Sequence, residues 1–271
     1  MKKNYTTVLS IAGSDGSGGA GIQADIKTIA ALECYGLSVI TAITAQNTSG
    51  VKKIYHLSEK CVLEQFRAIV DDIHIDAVKI GMLGSTGMIK AVAIMLKELP
   101  GTPPVILDTV LGTSGGRPLL PLKAIPTIKA ELFPLAALIT PNLSETAILI
   151  GMNKPPATPE AIETAATILQ KMGAASVLIK GGHSEGNECH DCLLYNHKFF
   201  WFRSKKVITC NTHGTGCTLS SAIAAFLAKG EAMNYAVEKA KAYTLEALKA
   251  GTDYNLGRGC GPLHHGFTLW K

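Results

Sequence analysis

Short apolar runs rich in Val, Ile and Thr alternate with helical patterns along most of this 271-residue chain, and few folds accept that alternation. Segments 7–12, 36–44, 77–80, 105–107, 137–140 and 176–180 read as strands. Segment 21–34 sets Ile22, Ile26, Ile29 and Ala30 on one helical face. Ser58 caps a helix to about residue 72, and 85–99 is helical with a stop at Pro100. Thr158 followed by Pro159 opens a helix that ends at Met172 and Gly173. Segments 192–195 and 198–202 flank Asn196 and His197 as a hairpin, and helices over about 216–228 and 233–250 follow. Alternation of this kind implies an α/β fold of three layers, a mostly parallel central sheet with helices on both faces. No linker, repeat or low-complexity segment interrupts it, so residues 1–271 read as a single domain.

Composition narrows the function classes. Apolar residues make up 47%, enough for a sizeable core. The net charge of +5 comes from lysines spread along the chain, and only 6% of residues are aromatic, so no nucleic-acid surface is expected. The seven cysteines show no disulfide framework, which points to reduced thiols and a cytoplasmic protein. Cys189 and Cys192 match C-x-x-C, but a structural zinc would want a second pair at similar spacing. The apolar run after Met1–Lys2–Lys3 stops at Gly13–Ser14–Asp15, too short for a signal peptide, and no stretch is long enough to span a bilayer.

Ligands of such folds sit beyond the carboxyl ends of the strands. Six predicted strand ends carry polar or glycine residues: Gly13 to Gly21, Gln46–Asn47, Gly81–Met82, Asp108, Asn142 with Glu145, and Gly181–Gly182. A single site on one rim explains them together. The most chemically loaded segment is Asn211–Thr212–His213–Gly214–Thr215–Gly216–Cys217, directly before an apolar helical run. A glycine turn at a helix N-terminus aims free N–H groups and the positive end of the dipole at one spot, which suits a phosphate or a developing oxyanion. Cys217 in that field is expected to have a lowered thiol pKa and to serve as general base in phosphoryl transfer. His213 is a rival base, with a loop role the plainer reading.

Other segments stay open to two readings. Gly16-x-Gly18-x-x-Gly21 satisfies the dinucleotide pattern literally, but the acidic partner expected near Gln46 is missing. The better reading is a loop that lets a small ligand approach the backbone. Asn142 and Glu145 can cap a helix, or Glu145 can orient hydrated Mg²⁺ near a triphosphate. Lys180 is a solvated lysine or a point charge for phosphate. Asp108 is a metal-linked carboxylate or a turn residue.

The motifs Ala12–Gly13–Ser14–Asp15, Ser17–Gly18–Gly19–Ala20–Gly21, Thr44–Ala45–Gln46–Asn47–Thr48, Lys79–Ile80–Gly81–Met82, Leu107–Asp108–Thr109–Val110, Thr140–Pro141–Asn142, Lys180–Gly181–Gly182–His183 and Asn211 to Thr218 occur in one order over nearly the whole chain. Gly261–Pro262–Leu263–His264–His265 joins them near the end. In this the chain resembles the hydroxymethylpyrimidine and phosphomethylpyrimidine kinases of thiamine biosynthesis, in the ribokinase-like superfamily. The resemblance implies two ATP-dependent phosphorylations, of 4-amino-5-hydroxymethyl-2-methylpyrimidine and then of its monophosphate. It puts pyrimidine contacts on Gly13, Thr44, Gln46, Met82 and Val110, the catalytic cysteine on Cys217, and an anion hole on Gly214, Thr215 and Gly216. Nucleotide phosphate falls to Asp108, Asn142, Lys180 and Thr212, and Mg²⁺ to Glu145, Asn142 and Asp108. A homodimer is implied by analogy. The chain departs from many relatives at Thr109, where proline is common, at Thr113, where lysine is frequent, and at Gly16. The runner-up is a pyridoxine or pyridoxal kinase of the same fold, against which the donor and acceptor of Gln46 favour an aminopyrimidine.

Overall fold

A computed structural model describes residues 3–113, 116–182 and 187–270. The chain runs β1 (Thr7–Asp15), α1 (Gly21–Ala31), β2 (Tyr35–Asn47), β3 (Gly50–His56), α2 (Glu59–Val70), β4 (Ala77–Ile80), α3 (Thr86–Glu98), β5 (Val105–Leu107), α4 (Ile125–Glu131), β6 (Leu138–Ile139) and α5 (Leu143–Ile150). It continues through α6 (Pro159–Lys171), β7 (Val177–Ile179), β8 (Glu188–Tyr195), β9 (Lys198–Lys205), α7 (Thr215–Ala228) and α8 (Met233–Gly251). One sheet of nine strands has the order β3-β2-β1-β4-β5-β6-β7-β8-β9. The six strands from β2 to β7 in that order pair in parallel, and β3, β8 and β9 are antiparallel at the edges.

Alternation along each strand feeds two cores. Leu9, Ile11, Val78, Ile80 and Leu107 pack against α2 to α6 through Phe66, Met88, Val92, Ile128 and Leu169. Val8, Ala77, Ile106, Leu138 and Leu178 face the other way, onto α1, α7 and α8 through Ile29, Ala222, Ile223 and Val237. The small residues of α7 let it lie close to the sheet, and all from Thr218 to Ala225 are buried.

Several boundaries differ from the sequence reading. β1 and β2 run on to Asp15 and Asn47, into the motifs themselves. α1 stops at Ala31 and Glu33 turns the chain with φ 59°. β3 escaped detection because none of its residues is buried, so no alternation exists to read. The caps at Ser58 and Thr158 form as expected, and Ser85 caps α3 as well, each accepting an N–H three residues on.

One polar feature lies inside the second core. Lys79 of β4 and Asp25 of α1 are both fully buried, with Lys79 Nζ 2.9 and 2.8 Å from the two carboxylate oxygens. Ser10 of β1 and Ser221 of α7 donate to the same carboxylate at 2.6 and 2.7 Å. Four elements therefore meet at one satisfied charge pair. Removing one partner leaves a buried charge without compensation. Lys79→Met and Asp25→Asn are each expected to lower unfolding free energy by about 3–5 kcal/mol in urea titrations. The double variant Lys79→Met with Asp25→Leu is expected to lose less than the sum.

Candidate active site

Parallel pairing sends the carboxyl ends of all six parallel strands to one rim. The chain moves outward from β1 to β2 and then returns to the other side of β1 at β4, so the crevice between β1 and β4 is the topological switch point. Gly13 and Met82 meet there. A Cβ on Gly13 would lie 2.9 Å from Met82 Cε, and Thr41 Oγ1 donates to the Met82 carbonyl at 2.6 Å. Gly13 itself sits in an irregularity of the β1–β2 register. Thr44 and Gln46 at the end of β2 flank the same opening: Thr44 Oγ1 donates to the Ser14 carbonyl at 2.8 Å and lies 3.2 Å from the Gln46 amide.

The two glycine turns serve each other. A Cβ on Gly214 would be 1.8 Å from the Gly19 carbonyl oxygen, one on Gly19 2.4 Å from His213 Cδ2, and one on Gly21 2.3 Å from the Gly13 carbonyl oxygen. These glycines are required for the close approach of one turn to the other. Asp15 holds the first turn. Its carboxylate accepts from Ser17 N, Ser17 Oγ and Ala20 N at 2.7–2.9 Å and from His213 Nε2 at 2.8 Å. Burial opposes that charge, but these donors, His213 foremost, hold the Asp15 pKa at about 2. The C-terminal segment buttresses the second turn: His213 N donates to the Gly261 carbonyl at 3.1 Å, and His265 Nε2 lies 3.0 Å from Thr218 Oγ1.

α7 thus begins at Thr215, behind an N-cap Gly214 at φ 88° and with no side chain capping it. Gly216 and Cys217 are its second and third residues, whose N–H groups have no acceptor within the helix. Thr212 lies at the exposed edge of the turn and its carbonyl accepts from Thr215 N and Oγ1. Facing Gly216 are Lys180 Nζ and Asp108 Oδ2, 3.5 and 3.6 Å from where its Cβ would be. Lys180 Nζ binds Asp108 Oδ1 at 2.8 Å, Thr140 Oγ1 donates to the same oxygen at 3.1 Å, and Ser220 Oγ approaches Oδ2 at 3.3 Å. Burial disfavours both charges, yet each partner outweighs it: Asp108 titrates below and Lys180 above the ordinary range. Gly181, next to Lys180, is fixed by Asp191 Oδ1 at 2.7 Å, while His183 lies outside the described residues.

Both readings of Asn142 and Glu145 bear on what is seen. The capping box is present: Asn142 Oδ1 accepts from Glu145 N at 2.8 Å and Glu145 Oε2 from Asn142 N at 2.9 Å. Glu145 also reaches the loop after β5, accepting from Thr109 Oγ1 at 3.0 Å and Leu111 N at 3.1 Å. The threonine at 109 therefore supplies a donor that proline could not. Val110, between those two contacts, is held at φ 34°, a strained value for a β-branched residue. Thr113 Oγ1 accepts from Arg117 N at 3.1 Å within its own turn.

The thiol corrects an expectation. Cys217 was expected to be partly ionised near neutral pH, and instead burial pushes its pKa up to about 11. Lys79 and the Gly21 amide favour the thiolate, but Asp25 and Asp108 oppose it and burial outweighs both helpers. The Cys189–Cys192 pair lies on β8, where Cys192 is buried and its thiol is pushed up to about 12.

A family model described as phosphomethylpyrimidine kinase matches residues 15–264. The chain belongs to this kinase family. It is 42% identical over 262 residues to the hydroxymethylpyrimidine/phosphomethylpyrimidine kinase of Escherichia coli, covering 97% of this chain and 98% of that protein. It is 44% identical to a thiamine biosynthesis bifunctional protein of Geobacter sulfurreducens, of whose length it spans 52%. The ADP complex of Bacillus subtilis pyridoxal kinase superposes with a TM-score of 0.89 at 34% identity, over 98% of this chain and 100% of that one. The fold is ribokinase-like, and the chain is a phosphotransferase by family.

Sequence reasoning missed Asp15, Asp25 and Lys79 as parts of the site and its foundation. Lys79 carried a signal: a lysine inside a four-residue buried strand needs a partner. Asp15, an acid inside a glycine turn, carried another. Two outcomes follow for this kinase. Glu145→Gln removes the charge and keeps one oxygen as acceptor while its NH₂ confronts one of the donors now bound, so turnover is expected to fall more than tenfold while unfolding free energy falls by about 1–3 kcal/mol and the enzyme stays folded. Unchanged kinetics would leave Glu145 as a cap alone. With its pKa near 11, the thiolate fraction of Cys217 grows about tenfold per pH unit above neutrality. If the thiolate acts, kcat/KM for an alcohol rises with pH in the native enzyme and flattens in Cys217→Ala, and iodoacetamide reacts slowly at pH 7 and faster at pH 9.

Proposed function

We propose that this chain transfers the γ-phosphoryl group of ATP to the hydroxymethyl oxygen of 4-amino-5-hydroxymethyl-2-methylpyrimidine, and a second one to the resulting monophosphate, in thiamine biosynthesis. The observation that carries the reading is the meeting of the uncapped α7 N-terminus with the buried Lys180–Asp108 pair across Gly216. Charge that develops on a transferring phosphoryl group finds N–H dipoles on one side and an ammonium on the other.

The roles divide along the rim. Gly13, Thr44, Gln46, Met82 and Val110 hold the ring, which brings the hydroxymethyl group toward α7. The N–H groups of Gly214 and Gly216 form the anion hole, while that of Thr215, also expected there, is engaged by the Thr212 carbonyl at 3.2 Å. Lys180, Thr212, Asn142 and Asp108 serve the nucleotide phosphates. Mg²⁺ fits the donor set only in hydrated form. Asp108 Oδ2 has a single long contact and Glu145 Oε1 a single donor, so each keeps acceptor capacity. Among the described residues no group of three or more His, Cys, Asp or Glu could enclose a metal. Mg²⁺ held through water by Asp108, Asn142 and Glu145 supplies charge to the phosphates, as is usual for this ion.

Cys217 sits where the alcohol proton must leave. A neutral thiol has no site for a further proton, so the anion hole and Lys180 carry most of the stabilisation, and it is the small thiolate fraction of Cys217, favoured by Lys79, that takes the alcohol proton late in a loose phosphoryl transfer and becomes the thiol as the new O–P bond forms. In the second step the acceptor is a phosphate oxygen already charged, and Cys217 matters less. The protein is read as cytoplasmic and as a homodimer on family grounds. No helix among the described residues is long and apolar enough to cross a membrane.

Pyridoxal phosphorylation is the second reading, favoured by the full-length superposition on the Bacillus subtilis pyridoxal kinase. Coupled ADP-release assays with hydroxymethylpyrimidine, its monophosphate and pyridoxal separate the two. Turnover of both pyrimidines at higher kcat/KM than pyridoxal is expected. Turnover of pyridoxal alone would replace the proposal.

A further inference from the structure

Gln46 ends beside a histidine that is not free to choose its hydrogen bond. His213 Nε2 lies 2.8 Å from Asp15 Oδ2 and 3.1 Å from Gln46 Nε2 as the amide is placed. Gln46 Oε1 lies 3.2 Å from Thr44 Oγ1 in that placement. Asp15 is 3% exposed and takes three further donors, so its carboxylate is an acceptor only. That fixes the hydrogen: Nε2 of His213 must carry it and donate to Asp15.

A nitrogen that carries a hydrogen in the ring plane cannot accept one. The amide must therefore be turned over from that placement, so that the Gln46 carbonyl oxygen faces His213 and shares the Nε2–H while the NH₂ group faces Thr44. Thr44 Oγ1 gives its own hydrogen to the Ser14 carbonyl at 2.8 Å and is free to accept from that NH₂. With this assignment no two donors face each other, and one Gln46 N–H is left for a ligand. With the amide reversed, two N–H groups would confront each other.

We infer that Asp15 and His213 are positioning residues that lock the Gln46 amide in one orientation, and so fix which ring edge the site accepts. Locked this way, Gln46 offers one N–H and one carbonyl lone pair in a set order. An aminopyrimidine, whose ring nitrogen accepts and whose amino group donates, matches that order in one register only. Reversal would swap donor and acceptor against the same edge. The inference deepens the proposed pyrimidine specificity and rests on it for the substrate, though not for the hydrogen-bond order.

Nitrogen-15 NMR of the intact protein, labelled at the histidine rings, tests the order without substrate. His213 is assigned by its loss in His213→Gln. Nε2 is expected to resonate as a protonated, pyrrole-type nitrogen at pH 7.5, and a bare, pyridine-type Nε2 would overturn the inference. The kinetic arm compares hydroxymethylpyrimidine with pyridoxal. His213→Ala is expected to lower the pyrimidine-to-pyridoxal ratio of kcat/KM at least about tenfold, mostly through KM, the scale of one mispaired hydrogen bond. His213→Gln, which keeps a side-chain N–H at a similar reach, is expected to restore most of it. Equal losses on both substrates, or no rescue by glutamine, would reduce His213 to a structural prop. A native enzyme inactive on both substrates would contradict the proposed function and leave the NMR result to decide the hydrogen-bond order.

Discussion

The Lys79–Asp25 pair is the constraint on which the site depends. It lies beneath the rim and joins β1, β4, α1 and α7, the elements that carry Gly13, Met82, the first glycine turn and Cys217. Buried pairs seldom add net stability over a packed apolar core. What this pair adds is registry. α7 packs with small residues that could slide along the sheet, and the Ser221 hydroxyl on Asp25 fixes where it stops. Positions of tenths of an ångström follow from that, because the Gly214 turn sits against Gly19 with no room for a Cβ.

Above the pair, charges are arranged in alternation. Lys79 lies under Cys217, Asp108 beside it, and Lys180 on the far side of Asp108. Lys180 and Lys79 hold Asp108 ionised against its burial, while burial outweighs Lys79 at Cys217 and keeps that thiol neutral. A surface of this kind favours an incoming polyphosphate, whose charge is met by α7 and Lys180, without keeping a strong nucleophile ionised in its absence. The Asp15–His213 contact stands between this charged end and Gln46, where the ring is proposed to bind.

The parallel core of the fold was legible because buried strands announce themselves as apolar runs and helices through caps such as Ser58 and Thr158. β3 was not legible, since an exposed edge strand has no buried face to mark it. The rim was legible through its strand-end residues, and the structure brings Gly13 to Met82 and Asp108 to Lys180 as that reading requires. Three matters were not. The glycines of the first turn answer to the second turn, a contact between residues some two hundred positions apart in sequence. The Cys217 pKa depends on burial, which a local helix-terminus argument omits. Lys79 and Asp25 are unremarkable singly, and only the meeting of their strand and helix makes them a pair.

The central claim is that phosphoryl transfer occurs at the α7 N-terminus with the ring held at the β1–β4 switch point. A crystal structure with Mg²⁺, ADP, aluminium fluoride and hydroxymethylpyrimidine measures it directly. The account predicts the fluoride group over the N–H groups of Gly214 and Gly216, within reach of Lys180, and the ring against Gln46 and Met82 with its hydroxymethyl oxygen directed at Cys217. A fluoride group bound away from α7, or a ring bound outside the Gly13–Met82 crevice, would contradict it.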